Sequence, residues 1–234
     1  DVAARIAADR RQQLIAELRA VYVHHGLERE ADAWEEHCRR ECEKRGVIFE
    51  AVRVRVQRSG DGIEAAARDV RYRALAQYAL KSGCSIIMTA HHEDDRIETF
   101  LLQWMRGAGL EGLAAFPEVR ELAAPSMEDA KAVQARKQVF LLRPWSGVLR
   151  RDIERYVKNR RIPYVDDPSN NSPKYARNRV RSEIIPRLEA IRPGFSASAA
   201  RSVGLIGEAL EVLKSVARAR SEERRVGKEC NAWW

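Results

Sequence analysis

The apolar positions of this chain switch repeatedly between a two-residue alternation and a spacing of three or four, the periods of strand and helix. Glu17 to His24 reads as a strand. Ala31 to Arg45 follows as a helix stopped by Gly46, and Val47 to Val56, alternating valine and arginine, as a second strand. Beyond the Ser59–Gly62 turn a helix opens at Ile63 and runs through Leu75. Ser85 to Ala90 is a short apolar strand, after which Ile97, Leu101, Leu102 and Met105 line one side of a helix. Gly107 to Pro117 is expected to be a loop and 126–136 a polar, exposed stretch. Gln138 to Leu142 makes a last strand, closed by Arg143-Pro144. Ser146 is expected to cap a helix reaching about Arg160, with Ile153, Tyr156 and Val157 inward. Residues 195–219 form an amphipathic helix on the stripe Val203, Ile206, Leu210, Leu213, Val216. Asp1 to Arg11 has helical composition without a cap or a preceding strand.

Strands alternating with helices specify the α/β class, a mostly parallel sheet with helices on both faces, followed by a helical linker. With 234 residues, 45% of them hydrophobic, there is material for one such domain and an extension. The expected division is 1–190 for the domain, 191–219 for the linker and 220–234 for a non-native tail. No apolar run approaches the roughly 18 residues a membrane span needs, and no secretion signal is visible. Cysteines at 38, 42, 84 and 230 lack disulfide-like spacing, which fits reduced thiols and a cytoplasmic location.

Charge changes the picture by its distribution. The net charge is +8, and 143–187 holds twelve Lys or Arg against five Asp or Glu, a local excess of 12 − 5 = +7. A concentration of that kind points to a polyanion, with RNA the natural candidate, although a basic helix is often only a solvated face.

The chemistry-bearing stretch is His91-His-Glu-Asp-Asp-Arg-Ile-Glu-Thr99, where a strand gives way to a helix. In open α/β sheets that junction forms the ligand crevice. Asp94 and Asp95 are costly to keep ionised side by side without a cation, so a metal or phosphate-bound metal is one reading and helix capping the plainer one. Zinc on His91 and His92 is a weaker alternative, because neighbouring residues at a strand end point different ways. A second run, Tyr164-Val-Asp-Asp-Pro-Ser-Asn170, is turn chemistry, and behind it Arg177, Asn178 and Arg181 lie within about a helical turn, close enough to converge on one phosphate.

HHEDDRIETFLLQWMRGAGLEGL resembles the signature of the tRNA(Ile)-lysidine synthetase family of PP-loop ATP pyrophosphatases, HHxDDxxETxLLxxxRGxGxxGL, at every fixed position. Ala108 stands where the family usually has Ser or Thr. The turn His24-His25-Gly26-Leu27, the segment from Gly62 through Glu64, Arg68 and Arg71 to Tyr72, and the Asp-Pro-Ser-Asn and Arg-Asn-x-x-Arg runs are similar to further family patterns in the same order. The resemblance implies a Rossmann-like, PP-loop or HUP-type fold and ATP-dependent ligation of free lysine to C2 of the wobble cytidine in tRNA(Ile) with a CAU anticodon. It assigns Asp95, Asp94 and Arg181 to catalysis, with Mg2+ on Asp95, and His24, His25, Gly26, His91 and Arg177 to ATP. Glu64, Arg68, Arg71, Glu98, Arg106, Gly107 and Asn178 are assigned to tRNA or lysine. The reading requires Asp95 and Arg181 to share one pocket.

The family also binds pyrophosphate on an SGGxDS loop, and no such run occurs in this sequence. The expectation is that the loop and the first strand are missing from the N-terminal side and that the chain alone has little or no activity. Another PP-loop tRNA-base enzyme and a non-catalytic RNA-binding remnant remain open, although a thiolase would call for paired cysteines that are absent. Oligomeric state, a homodimer included, is not legible.

Overall fold

The computed structural model describes residue 3 and residues 17–26, 30–56, 63–122 and 138–230. Strands β1 (Arg19–His24) and β2 (Ile48–Arg53) pair in parallel, Arg19 opposite Ile48 and His24 opposite Arg53. Parallel neighbours need a crossover, and α1 (Ala31–Glu43) supplies it. The chain leaves α1 through Gly46 at φ 62, the left-handed value that glycine tolerates best. Helix α2 (Ile63–Ser82) then leads to β3 (Ile86–Met88). A second sheet has the order β3-β5-β4, with β4 at Val119–Leu122 and β5 at Val139–Leu142. The Phe140 amide bonds the Ser85 carbonyl and the Thr89 amide the Leu142 carbonyl, which is the parallel sense. Arg143 bonds Glu118, so β4 runs against β5.

The α/β class is therefore as expected. The chain divides into two compact units, 1–87 with 121–141 and 88–120 with 142–234. In the first, Ala76 and Ala79 of α2 pack with Ile87, Leu122, Val139 and Leu141. Burying side chains of valine or leucine size contributes about 1.5–3 kcal/mol each. In the second, α3 (Glu93–Met105) places Ile97 and Leu101 against Val180 and Ala199. Short α4 (Leu110–Leu113) follows, and α5 (Arg150–Asn159) stands beyond β5. After a 3-10 turn at Pro168–Asn171, α6 (Ala176–Arg179) runs through one wide π-turn, Val180–Ile184, into α7 (Ile185–Ile191). The last helix, α8 (Phe195–Cys230), is capped by Glu189, whose carboxylate accepts the amides of Gly194, Phe195 and Ser196 at 2.9, 3.2 and 2.8 Å. Among the described residues no helix is long and apolar enough to cross a membrane.

Several local expectations change. The strand read at Ser85–Ala90 is only Ile86–Met88, because the backbone then turns into the His92 cap. The loop after Gly107 contains α4, and β4 was not foreseen. Ser146 is buried and does not cap α5, whose N-cap position is Leu149 with no side-chain bond. Helix α8 runs past residue 219. The segments 1–2, 4–11 and 126–136 lie outside the described residues.

Candidate active site

The signature begins with a reciprocal cap. The His92 amide donates to Asp95 Oδ2 at 3.0 Å, and the Asp95 amide donates to His92 Nδ1 at 3.3 Å, so each residue satisfies an orphan group of the α3 terminus. His92, which one reading gave to zinc, is thereby engaged as a cap. Asp94 reaches the other way. Its Oδ2 accepts the backbone amide of Arg150 at 2.8 Å, replacing the Ser146 cap expected for α5. Each aspartate thus spends one oxygen on backbone and keeps Oδ1 for another partner, and Asp95 Oδ1 lies 4.0 Å from Arg181 Nη2. Asp95 and Arg181, 86 positions apart in the chain (181 − 95), are therefore neighbours in the fold.

One turn on, Glu98 is fully buried and gathers both arginines. Arg181 donates Nε to Oε1 at 2.6 Å and Nη2 to Oε2 at 3.0 Å, a two-pronged pair. Arg177 places Nε 3.2 Å from Oε2 and donates Nη2 to Thr99 Oγ1 at 2.8 Å. Thr99 in turn donates to the Asp95 carbonyl at 2.7 Å. Hydrogen bonding to Glu98 holds the Arg181 guanidinium above its ordinary pKa, so its charge is fixed. Both arginines are partly exposed, with side-chain accessibilities of 34% for Arg177 and 27% for Arg181. Thr99 was not singled out by sequence, although it is a fixed position of the signature.

Asn178 has a different role from its neighbours. Its amide donates to the carbonyls of Ser169 and Ser172 at 2.8 and 2.9 Å, and Asp167 accepts the Ser169 amide at 2.8 Å, so these side chains hold the Asp-Pro-Ser-Asn turn. His91 bonds Thr89 Oγ1 through Nδ1 at 2.9 Å and meets the Phe116 ring edge-on. Arg106, exposed, ends α3, and Gly107 follows at φ 70. Arg143, counted in the basic segment, is only 1% exposed and donates to the Pro117 carbonyl, so it adds nothing to a surface charge.

The remaining candidates belong to the first unit. The Gly26 amide donates to His24 Nδ1 at 3.1 Å, which leaves the ring proton on Nε2, 3.2 Å from Asp32 Oδ1. His24, Asp32 and Glu35 are close enough to hold an ion, yet Arg53 already bonds Asp32 at 3.0 Å and Glu35 at 3.4 Å and supplies the positive charge. Arg71 donates to His25 Nε2 at 3.3 Å; burial and then this cation lower the His25 pKa. Arg68 stacks over Tyr72 at 5.5 Å. Glu64 lies in the first turn of α2.

A family model described as the PP-loop domain matches residues 2–188. The chain belongs to the PP-loop family. Among its relatives, the tRNA(Ile)-lysidine synthase of Pseudomonas syringae pv. tomato is 42% identical to the PP-loop chain over 200 residues, 86% of this chain and 41% of that protein. The protein of the same description from Ralstonia nicotianae is 42% identical over 200 residues, 85% of this chain and 40% of its own length. The PP-loop chain thus spans about two fifths of the curated relatives it matches. In fold it is similar to the U34-tRNA thiolase NcsA from Methanococcus maripaludis, with a TM-score of 0.65, 17% identity, and coverage of 88% of this chain and 68% of that one.

Proposed function

We propose that this PP-loop protein is an ATP-dependent, tRNA-modifying ligase that joins free lysine to C2 of the wobble cytidine of tRNA(Ile) with a CAU anticodon, in the cytoplasm. The observation that carries the reading is the cluster of Asp94, Asp95, Glu98, Arg177 and Arg181, drawn from the signature and the Arg-Asn-x-x-Arg run that resemble the lysidine family. The similarity to proteins described as tRNA(Ile)-lysidine synthases supports it.

In the first step the C2 oxygen of the cytidine attacks the α-phosphorus of ATP, and the bond to the bridging oxygen breaks as pyrophosphate leaves. In the second, a lysine amine attacks C2, the bond from C2 to the adenylate oxygen breaks, AMP departs with that oxygen, and the amine loses a proton. Charge builds on the phosphoryl oxygens in step one. Glu98 fixes Arg181 through Nε and Nη2, and Thr99 fixes Arg177 through Nη2 beside the Glu98 carboxylate, which leaves Nη1 of each for those oxygens. Asp95, with Oδ2 committed to the α3 cap, has Oδ1 for either the lysine ammonium or a metal ion.

Mg2+ suits this donor set, since it is held by one or two carboxylates together with phosphate oxygens and water. Oδ1 of Asp94 and of Asp95 are two such hard donors, with no hydrogen bond among the described residues. Bound there, the ion would neutralise charge on the pyrophosphate.

The test is AMP release dependent on both lysine and tRNA, measured for the whole protein and its Asp95→Asn variant. Turnover is expected to fall by about 10²-fold or more. Unchanged turnover removes Asp95 from the mechanism, and AMP release that ignores lysine points to a different PP-loop chemistry.

A further inference from the structure

We propose that the outward face of α5, with Arg161 and Tyr164 just beyond it, is a docking surface for RNA, its cations gripping backbone phosphates and Tyr164 stacking on a base. No residue of α5 is buried. Arg151, Arg155 and Lys158 stand at i, i+4 and i+7, so they share one side of the helix and span about 10 Å along its axis. All three are exposed, while Ile153, Tyr156 and Val157 are half-buried. The helix's two acids are matched locally, Glu154 by Arg150 at 2.7 Å and Asp152 by Arg155 at 3.3 Å. Arg151, Lys158 and Arg161 make no ion pair among the described residues. A membrane surface fits poorly, because such a helix needs an apolar face turned outward.

Two further observations favour RNA. Arg161 sits at φ 49, just past the end of α5. Its amide bonds the Lys158 carbonyl at 3.1 Å and the Ile162 amide bonds Val157 at 3.0 Å, the paired closure of a helix in which glycine is the residue that fits without strain. An arginine is tolerated there against the backbone's preference, and it extends the cationic face. Three residues on, Tyr164 is 74% exposed, an aromatic ring with nothing covering it. Exposed cations followed within a few residues by an uncovered aromatic are a combination that binds nucleic acid strands, charge on the phosphates and ring on a base. That the RNA is a tRNA rests on the function proposed above; the surface itself does not.

The experiment measures binding of a tRNA transcript with a CAU anticodon to the 234-residue chain by fluorescence anisotropy, across 50–200 mM NaCl. Replacing Arg151, Arg155 and Lys158 together by Gln should lower the slope of log K against log salt by about 2, at ~0.7 per lost phosphate contact. Arg161→Gly should lower it by about 0.7 while leaving the melting temperature unchanged or higher, so its effect cannot be misfolding. Tyr164→Ala should weaken binding about fivefold or more with the slope unchanged. If the parent chain binds and the triple variant keeps its slope, the surface is wrong and the tRNA reading stands. If the parent chain does not bind the transcript at all, the surface falls, and the ligase reading is decided by lysine-dependent AMP release from the whole protein. Tighter binding to phosphatidylserine vesicles than to RNA overturns the surface in favour of a membrane.

Discussion

Replacing Glu98 by Gln is the sharpest probe of the cluster. The substitution keeps volume and one acceptor, removes the charge, and turns an NH2 group toward a guanidinium that can only donate. Glu98 accepts two bonds from Arg181, at 2.6 and 3.0 Å, and has Arg177 Nε at 3.2 Å. Removing one partner of a buried pair costs about 3–5 kcal/mol. Both arginines are about one-third exposed and regain some water, which sets the expectation near the lower end, about 3 kcal/mol. For a chain of this size about 3 kcal/mol lowers the melting temperature by roughly 6–12 °C. Circular dichroism melts of Glu98→Gln, Arg181→Gln and the double variant give the coupling directly, and about 1.5 kcal/mol or more is expected. A coupling below about 0.5 kcal/mol, the scatter for independent sites, would mean that the pair does not hold the arginines in place.

Two further outcomes follow from the geometry. A Cβ on Gly112 would lie 2.6 Å from Ala108 Cβ, which cannot rotate away, so Gly112→Ala should cost about 1–3 kcal/mol in thermal melts. In an Ala108→Gly background the same change should become neutral or stabilising, and persistence of the full penalty would refute the contact. His25 has its pKa lowered below 6.5, chiefly by burial and then by Arg71. The unfolded chain therefore binds more protons there, so stability present above pH 6.5 declines as pH falls through that value toward the folded pKa. Urea titrations between pH 7.5 and 5 should show the decline shrink in His25→Gln; an identical pH profile in the variant would exclude His25 as its source.

Much of this was legible from the residues. The 3.6-residue spacing of Ile97 and Leu101 marks α3, and the match of His91–Leu113 to a known pattern marks the junction as the candidate site. What periodicity cannot convey is where a short polar side chain spends its hydrogen bonds. Asp94 capping α5 from 56 residues away and Asn178 tying the Ser169–Ser172 turn depend on tertiary placement. Strand β4, four residues with three exposed, carries too few apolar positions to announce itself. The charge count read Arg143 as surface, although its aliphatic stem and stacking on Phe116 at 4.8 Å suit it to the interior.

The π-turn at Val180–Ile184 has a consequence for the register of what comes after it. In an unbroken α-helix Ile184, seven places from Arg177 and three from Arg181, would point with them toward Glu98. The widened turn hands that direction to Ile185, which joins the apolar cluster, and leaves Ile184 37% exposed. The turn thus absorbs one surplus residue, sending Ile184 outward while the helix beyond keeps its greasy side on the cluster. Trimming that surplus residue should close the bulge into a plain α-helix with Ile185 still in its seat.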